Sequence, residues 1–126
     1  MEPLRIAHTK STPSVHFDPE STVLAIGGES YPEDSHQFFG PVVDWVDAFL
    51  SGAAGRVTVR VDLTYMNTSS TKYMIDILDR LERAHLAGWK ITVEWNYDED
   101  NEREIDTIEE LKEDFEMPFT LIARDW

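Results

Sequence analysis

Between Val57 and Glu82 the chain changes its hydrophobic period within a few residues. In "VTVRVDLT", Val57, Val59, Val61 and Leu63 alternate with Thr58, Arg60, Asp62 and Thr64, the period-two pattern of a strand with one buried face. After "YMNTSSTK", Met74, Ile77, Leu78 and Leu81 recur at helical spacing and the run closes at Ala87-Gly88, with glycine suited to a helix C-terminus. A strand feeding straight into an amphipathic helix commits the chain to an α/β unit. The four consecutive hydroxyls at the junction, Thr68, Ser69, Ser70 and Thr71, pose a question of their own.

The same grammar recurs on both sides. Val15 with Phe17 and the segment Thr22–Gly28 read as two strands joined through Asp18-Pro19-Glu20-Ser21. Asp34 or Ser35 is available to cap a first helix, whose apolar residues run from Phe38 to Leu50 before Ser51-Gly52. Pro41, inside that helix, donates no backbone hydrogen bond and predicts an irregular first turn or a kink. "KITVEWNY" alternates again. Asn101 with Glu104 three residues on has the form of a capping box, and Ile105, Ile108, Leu111 and Phe115 give a third apolar stripe that Met117-Pro118 ends before the strand "FTLIARD". The predicted order is β-β-α-β-α-β-α-β in one domain, residues 1–126. Helical crossovers imply parallel pairs and hence a mixed sheet. A sheet covered on both faces has near-continuous apolar central strands. These strands alternate, so the expected fold is a two-layer α/β domain with helices mainly on one face.

Charge narrows the partners. The chain carries 25 acidic against 11 basic residues, a net −14, and twelve of the acids lie between Glu94 and Glu116. Such a surface repels phosphate backbones and anionic lipid, so neither nucleic acid nor membrane is expected as a partner. The acidic segment is read equally well as a surface for a basic protein or as a solvated helix face. No apolar stretch has the length of a membrane span, and the N-terminus lacks the form of a signal peptide, so a cytoplasmic location is expected.

Catalytic chemistry is hard to place. Cysteine is absent, which removes disulfides and thiolate sites, and His8, His16, His36 and His85 match no metal-ligand spacing. "DEDNEREIDTIE" puts Asp98, Asp100, Glu102 and Glu109 at calcium-loop positions, but Arg103 stands where that loop needs glycine. Acids that favour the start of a helix account for the run better. Asp62 and Glu94 share the polar parity of adjacent strands, where an ion pair with Arg60 is as good a reading as a carboxylate site. No cofactor and no metal are expected.

The hydroxyl cluster admits two readings. Asn, Ser and Thr satisfy the orphan amides of a helix start. Yet one cap needs one side chain, and the loop lies at the carboxyl end of a strand, where α/β folds place their sites. A phosphoryl group there would sit against helix amides and add about −1.5 to −2 charge. Along the local sequence only Lys72 stands ready to pair with it.

The element order, with a hydroxyl after the third strand, resembles the STAS domains of anti-sigma-factor antagonists, which carry an Asp-Ser pair where Asn67-Thr68 stands here. A nearer resemblance is to the SiaC family of bacterial regulatory phosphoproteins, which are STAS-like. It rests on pieces spread over most of the chain: Ser11-Thr12-Pro13, Ser30-Tyr31-Pro32-Glu33, Phe39-Gly40 to Asp44-Trp45-Val46, Asn67-Thr68-Ser69-Ser70 with Lys72, Met74 to Asp79, Trp95-Asn96-Tyr97-Asp98, Asn101-Glu102-Arg103 and Pro118-Phe119. The resemblance implies that Thr68 is the phosphoacceptor, with Asn67, Ser69, Ser70 and Lys72 forming the phosphosite turn and partner-binding corner. It implies a dedicated protein kinase and a metal-dependent PPM-type phosphatase acting on Thr68. It also implies a diguanylate cyclase bound and activated by the unphosphorylated form, raising cyclic-di-GMP and promoting biofilm or aggregate formation. A protein of this kind has no catalysis of its own. Two other readings remain beside it: a small carboxylate-based enzyme with a divalent metal, and a constitutive adaptor in which Thr68 only caps a helix.

Overall fold

The computed structural model describes residues 1–124. Nine elements follow one another: β1 Leu4–Ile6, β2 Ser14–Asp18, β3 Val23–Ser30, α1 Ser35–Leu50, β4 Arg56–Met66, α2 Thr68–Leu86, β5 Lys90–Tyr97, α3 Glu102–Glu113 and β6 Phe119–Ala123. They form one six-stranded sheet in the order β1-β2-β3-β4-β5-β6. The first two pairs are antiparallel and the last three parallel. Right-handed crossovers that step always in one direction deposit their helices on one face. The alternation of β4 obeys that arrangement: Val57, Val59, Val61 and Leu63 are buried, while Arg60 and Thr64 are exposed. The two-layer α/β reading and the mixed sheet are therefore correct.

The sequence reading missed β1. Three residues carry too little periodicity to register, and the strand exists by pairing Leu4 with Phe17 and Ile6 with Val15. The Trp45 indole N–H donates to the Glu2 carbonyl at 2.9 Å and fastens this edge to α1. Pro41 does not break α1, which is helical throughout. Pro41 and Gln37, whose carbonyl loses its amide partner to the proline, both lie on the exposed side where water can serve instead. Asp125, assigned from the sequence to the last strand, lies outside the described residues.

Helix ends follow the local sequence closely. Asp34 caps α1 through the amide of Gln37, at 3.0 Å. Gly88, at φ +121°, ends α2 as the sequence suggests: its amide bonds to His85 and that of Trp89 to Ala84, the two bonds of a Schellman turn. Asn101 caps α3 through Glu104 N–H at 3.1 Å. The reciprocal half of the expected capping box does not form. The Asn101 amide bonds to the Asp98 carbonyl, and the Glu104 side chain turns toward Arg124.

Two polar contacts lock the core to its rim. Ser30 at the end of β3 and Ser70 in the first turn of α2 are fully buried and share a hydroxyl–hydroxyl bond of 2.7 Å. Arg124, just past β6, bonds to Asp62 at 2.5 Å and lies 3.6 Å from Glu104, so one guanidinium spans β4 and α3. That last separation exceeds hydrogen-bond length, and Glu104 Oε1 is buried without a partner among the described residues. Burial raises the Glu104 carboxyl above its ordinary 4.5, against the pull of Arg124.

Each contact generates an expectation. Ser70→Ala strands the Ser30 hydroxyl and should cost about 1–3 kcal/mol in urea unfolding. Adding Ser30→Ala should return part of that loss, and strictly additive costs would show that the two hydroxyls do not interact. For Glu104 the folded pKa exceeds the unfolded one, so the native state binds more protons in the interval between them. Its contribution is present below pH 4.5 and is lost as pH rises through the folded value. Glu104→Gln should remove that decline from the pH–stability curve, and superimposable curves for variant and parent would contradict the assignment.

Candidate functional site

The strand-to-helix junction is organised by Asn67. Its amide donates to the Ser30 carbonyl at 2.9 Å, which holds the end of β4 against β3. Its side-chain oxygen accepts the Ser70 amide at 2.9 Å and the Ser69 hydroxyl at 3.2 Å, making Asn67 the N-cap of α2. The cap of α2 is therefore Asn67 and none of the four hydroxyls that follow it. An asparagine carboxamide reaches the second or third amide of the helix without entering the helix itself.

With the cap supplied, the four hydroxyls separate by role. Ser70 is buried on Ser30. Ser69 bonds to Ser35 at 2.5 Å, joining the first turns of α1 and α2. Thr71 turns back to the Asn67 carbonyl at 3.0 Å. Thr68 is exposed, and its hydroxyl bonds to no described residue. Three of the four consecutive hydroxyls are structural, and the remaining one faces solvent at the first position of the helix. Lys72, one turn along, is exposed on the same side.

The surroundings include residues that the sequence did not single out. Tyr65 is 53% exposed and meets Tyr31 edge-on at 5.9 Å between ring centres. By strand parity Tyr65 should lie inward. The register shift between Gly28 and Glu29, with Gly28 at φ +111°, carries the end of β4 past the sheet's regular alternation. His36 of α1 contacts the Tyr73 hydroxyl at 3.2 Å. On the other flank a cleft of about 230 Å³ opens between the first turns of α2 and α3. Leu63, Trp95 and Ile108 line it together with Thr71, Arg103 and Thr107. Arg103 thus lines this cleft together with Thr71, which follows Thr68 by about one turn of α2. Nothing in the linear pattern could announce it, because it arrives from a helix 35 positions later in the chain.

The other candidates fall apart as a site. Glu94 pairs with Arg60 at 3.1 Å on the open face, and Asp62 pairs with Arg124. Asp98 accepts the Asp100 amide in a local turn ahead of α3. Among the described residues no three His, Asp or Glu side chains are grouped to hold a metal ion, and no helix is long and apolar enough to cross a membrane.

This architecture has known counterparts. A model of the SiaC family of regulatory phosphoproteins matches residues 6–124. The structure of SiaC of Pseudomonas aeruginosa superposes with a TM-score of 0.91 at 41% identity, covering 98% of this chain and 100% of that one. A chain in the crystal structure of the diguanylate cyclase SiaD in complex with its activator SiaC, from the same organism, gives a TM-score of 0.92 at 43% identity, with 96% and 99% coverage. An uncharacterized protein of P. aeruginosa strain UCBPP-PA14 is 43% identical over 125 residues, 99% of either chain. Sequence and fold agree from one end of the described residues to the other: the chain belongs to the SiaC family of regulatory phosphoproteins.

Proposed function

We propose that this protein is a phosphorylation-controlled partner switch of the cytoplasm, without catalysis of its own. The unphosphorylated form binds and activates a diguanylate cyclase. A dedicated kinase and a PPM-type phosphatase interconvert the two states at Thr68. One observation carries the reading: a relative 43% identical over nearly its whole length is the activator in a complex with a diguanylate cyclase. The geometry of the junction supports the choice of Thr68, since its hydroxyl is free and exposed while Asn67 alone holds the cap.

Physical chemistry gives the switch its direction. A phosphate at the first position of α2 meets the helix amides and the positive end of the dipole, so the fold tolerates it. The same dianion confronts any partner that packs apolar or acidic groups on the corner, at a cost of several kcal/mol. Binding of the cyclase should therefore weaken by orders of magnitude on phosphorylation and by less for Thr68→Asp, whose carboxylate carries one charge and fewer acceptor oxygens. Thr68→Ala, which removes a hydroxyl bonded to nothing described, should bind as the parent does and melt with it. One calorimetric titration series over the four proteins measures this. Equal affinities throughout would mean that the corner is not where the cyclase docks.

The carboxylate-enzyme alternative makes the opposite demand on metal. We expect millimolar calcium or magnesium to leave the melting temperature unchanged, apart from mild screening of the acidic α3. A saturable rise of several degrees at low metal, abolished by changing Asp98 and Asp100, would favour the enzyme instead.

A further inference from the structure

The two long flanks of α2 face different neighbours. At 100° per residue the helix turns Ser70, Met74, Ile77, Leu78 and Leu81 to the sheet. Ser69, Tyr73 and Arg80 face α1, where they contact Ser35, His36 and Asp47. Thr71 projects on the opposite flank into the cleft it shares with Arg103 and Thr107. Glu82, farther along that flank, accepts the amides of Glu116 and Met117 beyond α3. Thr68 precedes Thr71 by one turn. It lies about 60° around the helix from Thr71 and about 100° from Ser69, so it belongs to the flank that faces α3.

Arg103 faces that flank from α3, and Lys72 follows Thr68 by one turn on the outer face of α2; neither has an ion pair among the described residues. Arg103 sits inside the segment that holds twelve acids, and Lys72 on a helix with no acid in its first turn. Both are exposed, so neither is held by packing. We propose that Arg103 and Lys72 form a phosphate-binding site for Thr68 in its phosphorylated state, drawing the modified side chain over the α2–α3 cleft and covering its apolar floor. The proposal rests on the reading of Thr68 as phosphoacceptor and adds the residues that receive the phosphate. A guanidinium offers two parallel donors to phosphate oxygens, and an ammonium one turn along the same helix supplies a point charge. The acids around Arg103 repel the phosphate and leave these two side chains as its counter-ions near Thr68. Phosphorylation would then act twice on a docking partner, by charge and by closing the hollow beside Leu63, Trp95 and Ile108.

The test uses full-length protein with phosphothreonine genetically encoded at position 68, so that no kinase is required. Phosphorus NMR titration reads the second ionisation of the phosphate directly. It should titrate lower in the parent phosphoprotein than in Arg103→Gln by about half a pH unit or more, with Lys72→Gln shifted in the same direction. Arg103→Lys should fall between. Phosphorylation should also move the amide resonances of Asn101 and Thr107, and Arg103→Gln should abolish that movement while leaving the melting temperature alone. Identical phosphate titrations in the parent and both glutamine variants would overturn the site even if the cyclase still discriminates the phosphorylated form. Intact-mass analysis of protein from its native cell isolates the other failure: no phosphate on Thr68 there removes the reading on which the site depends.

Discussion

Asn67 is the residue through which strand, helix and surface are tied together. Its backbone amide belongs to the sheet, through Ser30, and its side chain belongs to the helix, through the amide of Ser70 and the hydroxyl of Ser69. A β-strand ends with extended backbone and a helix begins with unpaired amides, so a junction with no intervening loop must satisfy both within one residue. Asn67 does so with φ −75° and ψ 175°, still extended, while its carboxamide reaches forward. Because the cap is complete without Thr68, that hydroxyl can be altered without withdrawing a bond from the fold.

Rigidity around the junction serves the same end. The buried Ser30–Ser70 pair prevents α2 from sliding along β3, and Ser35–Ser69 fixes the start of α2 against that of α1. Polar pairs in a core stabilise little on net, but a half-satisfied one is costly, and this penalises alternative registers. Such fixed geometry suits a docking surface, since a preorganised corner loses little entropy on binding. The acidic α3 contributes through its field. Net negative charge keeps the chain from anionic polymers and favours basic partner surfaces, at a range set by the ionic strength.

The strand order has a further consequence. Every crossover advances to the next strand, so among the described residues the sheet has no point where the order reverses and no crevice of the dinucleotide-binding type. The rim of the parallel strands is left with a shallow cleft and three helix N-termini. A corner of that kind suits recognition by another protein better than enclosure of a substrate.

Much of this was legible in the residues. The alternation of Val57–Leu63 and the helical stripe of Met74–Leu81 specify which faces are buried, because side chains repeat every two residues in a strand and about every 3.6 in a helix whatever the tertiary context. Asp34, Gly88 and Asn101 mark helix ends by local bonding alone. Only the tertiary structure decided the rest. β1 exists by pairing with β2, since three residues cannot signal a strand by themselves. Among Asn67, Ser69 and Ser70, all competent caps, the choice was made by what β3 and α1 offered as partners: Ser30 took Ser70, Ser35 took Ser69, and Asn67 kept the helix amide. Arg103 reached the cleft beside Thr71 for the same reason, because the crossover after β5 brings the start of α3 to it. Local bonding is written in neighbouring residues, whereas contacts between distant segments depend on strand order and crossover direction, which no window of sequence contains.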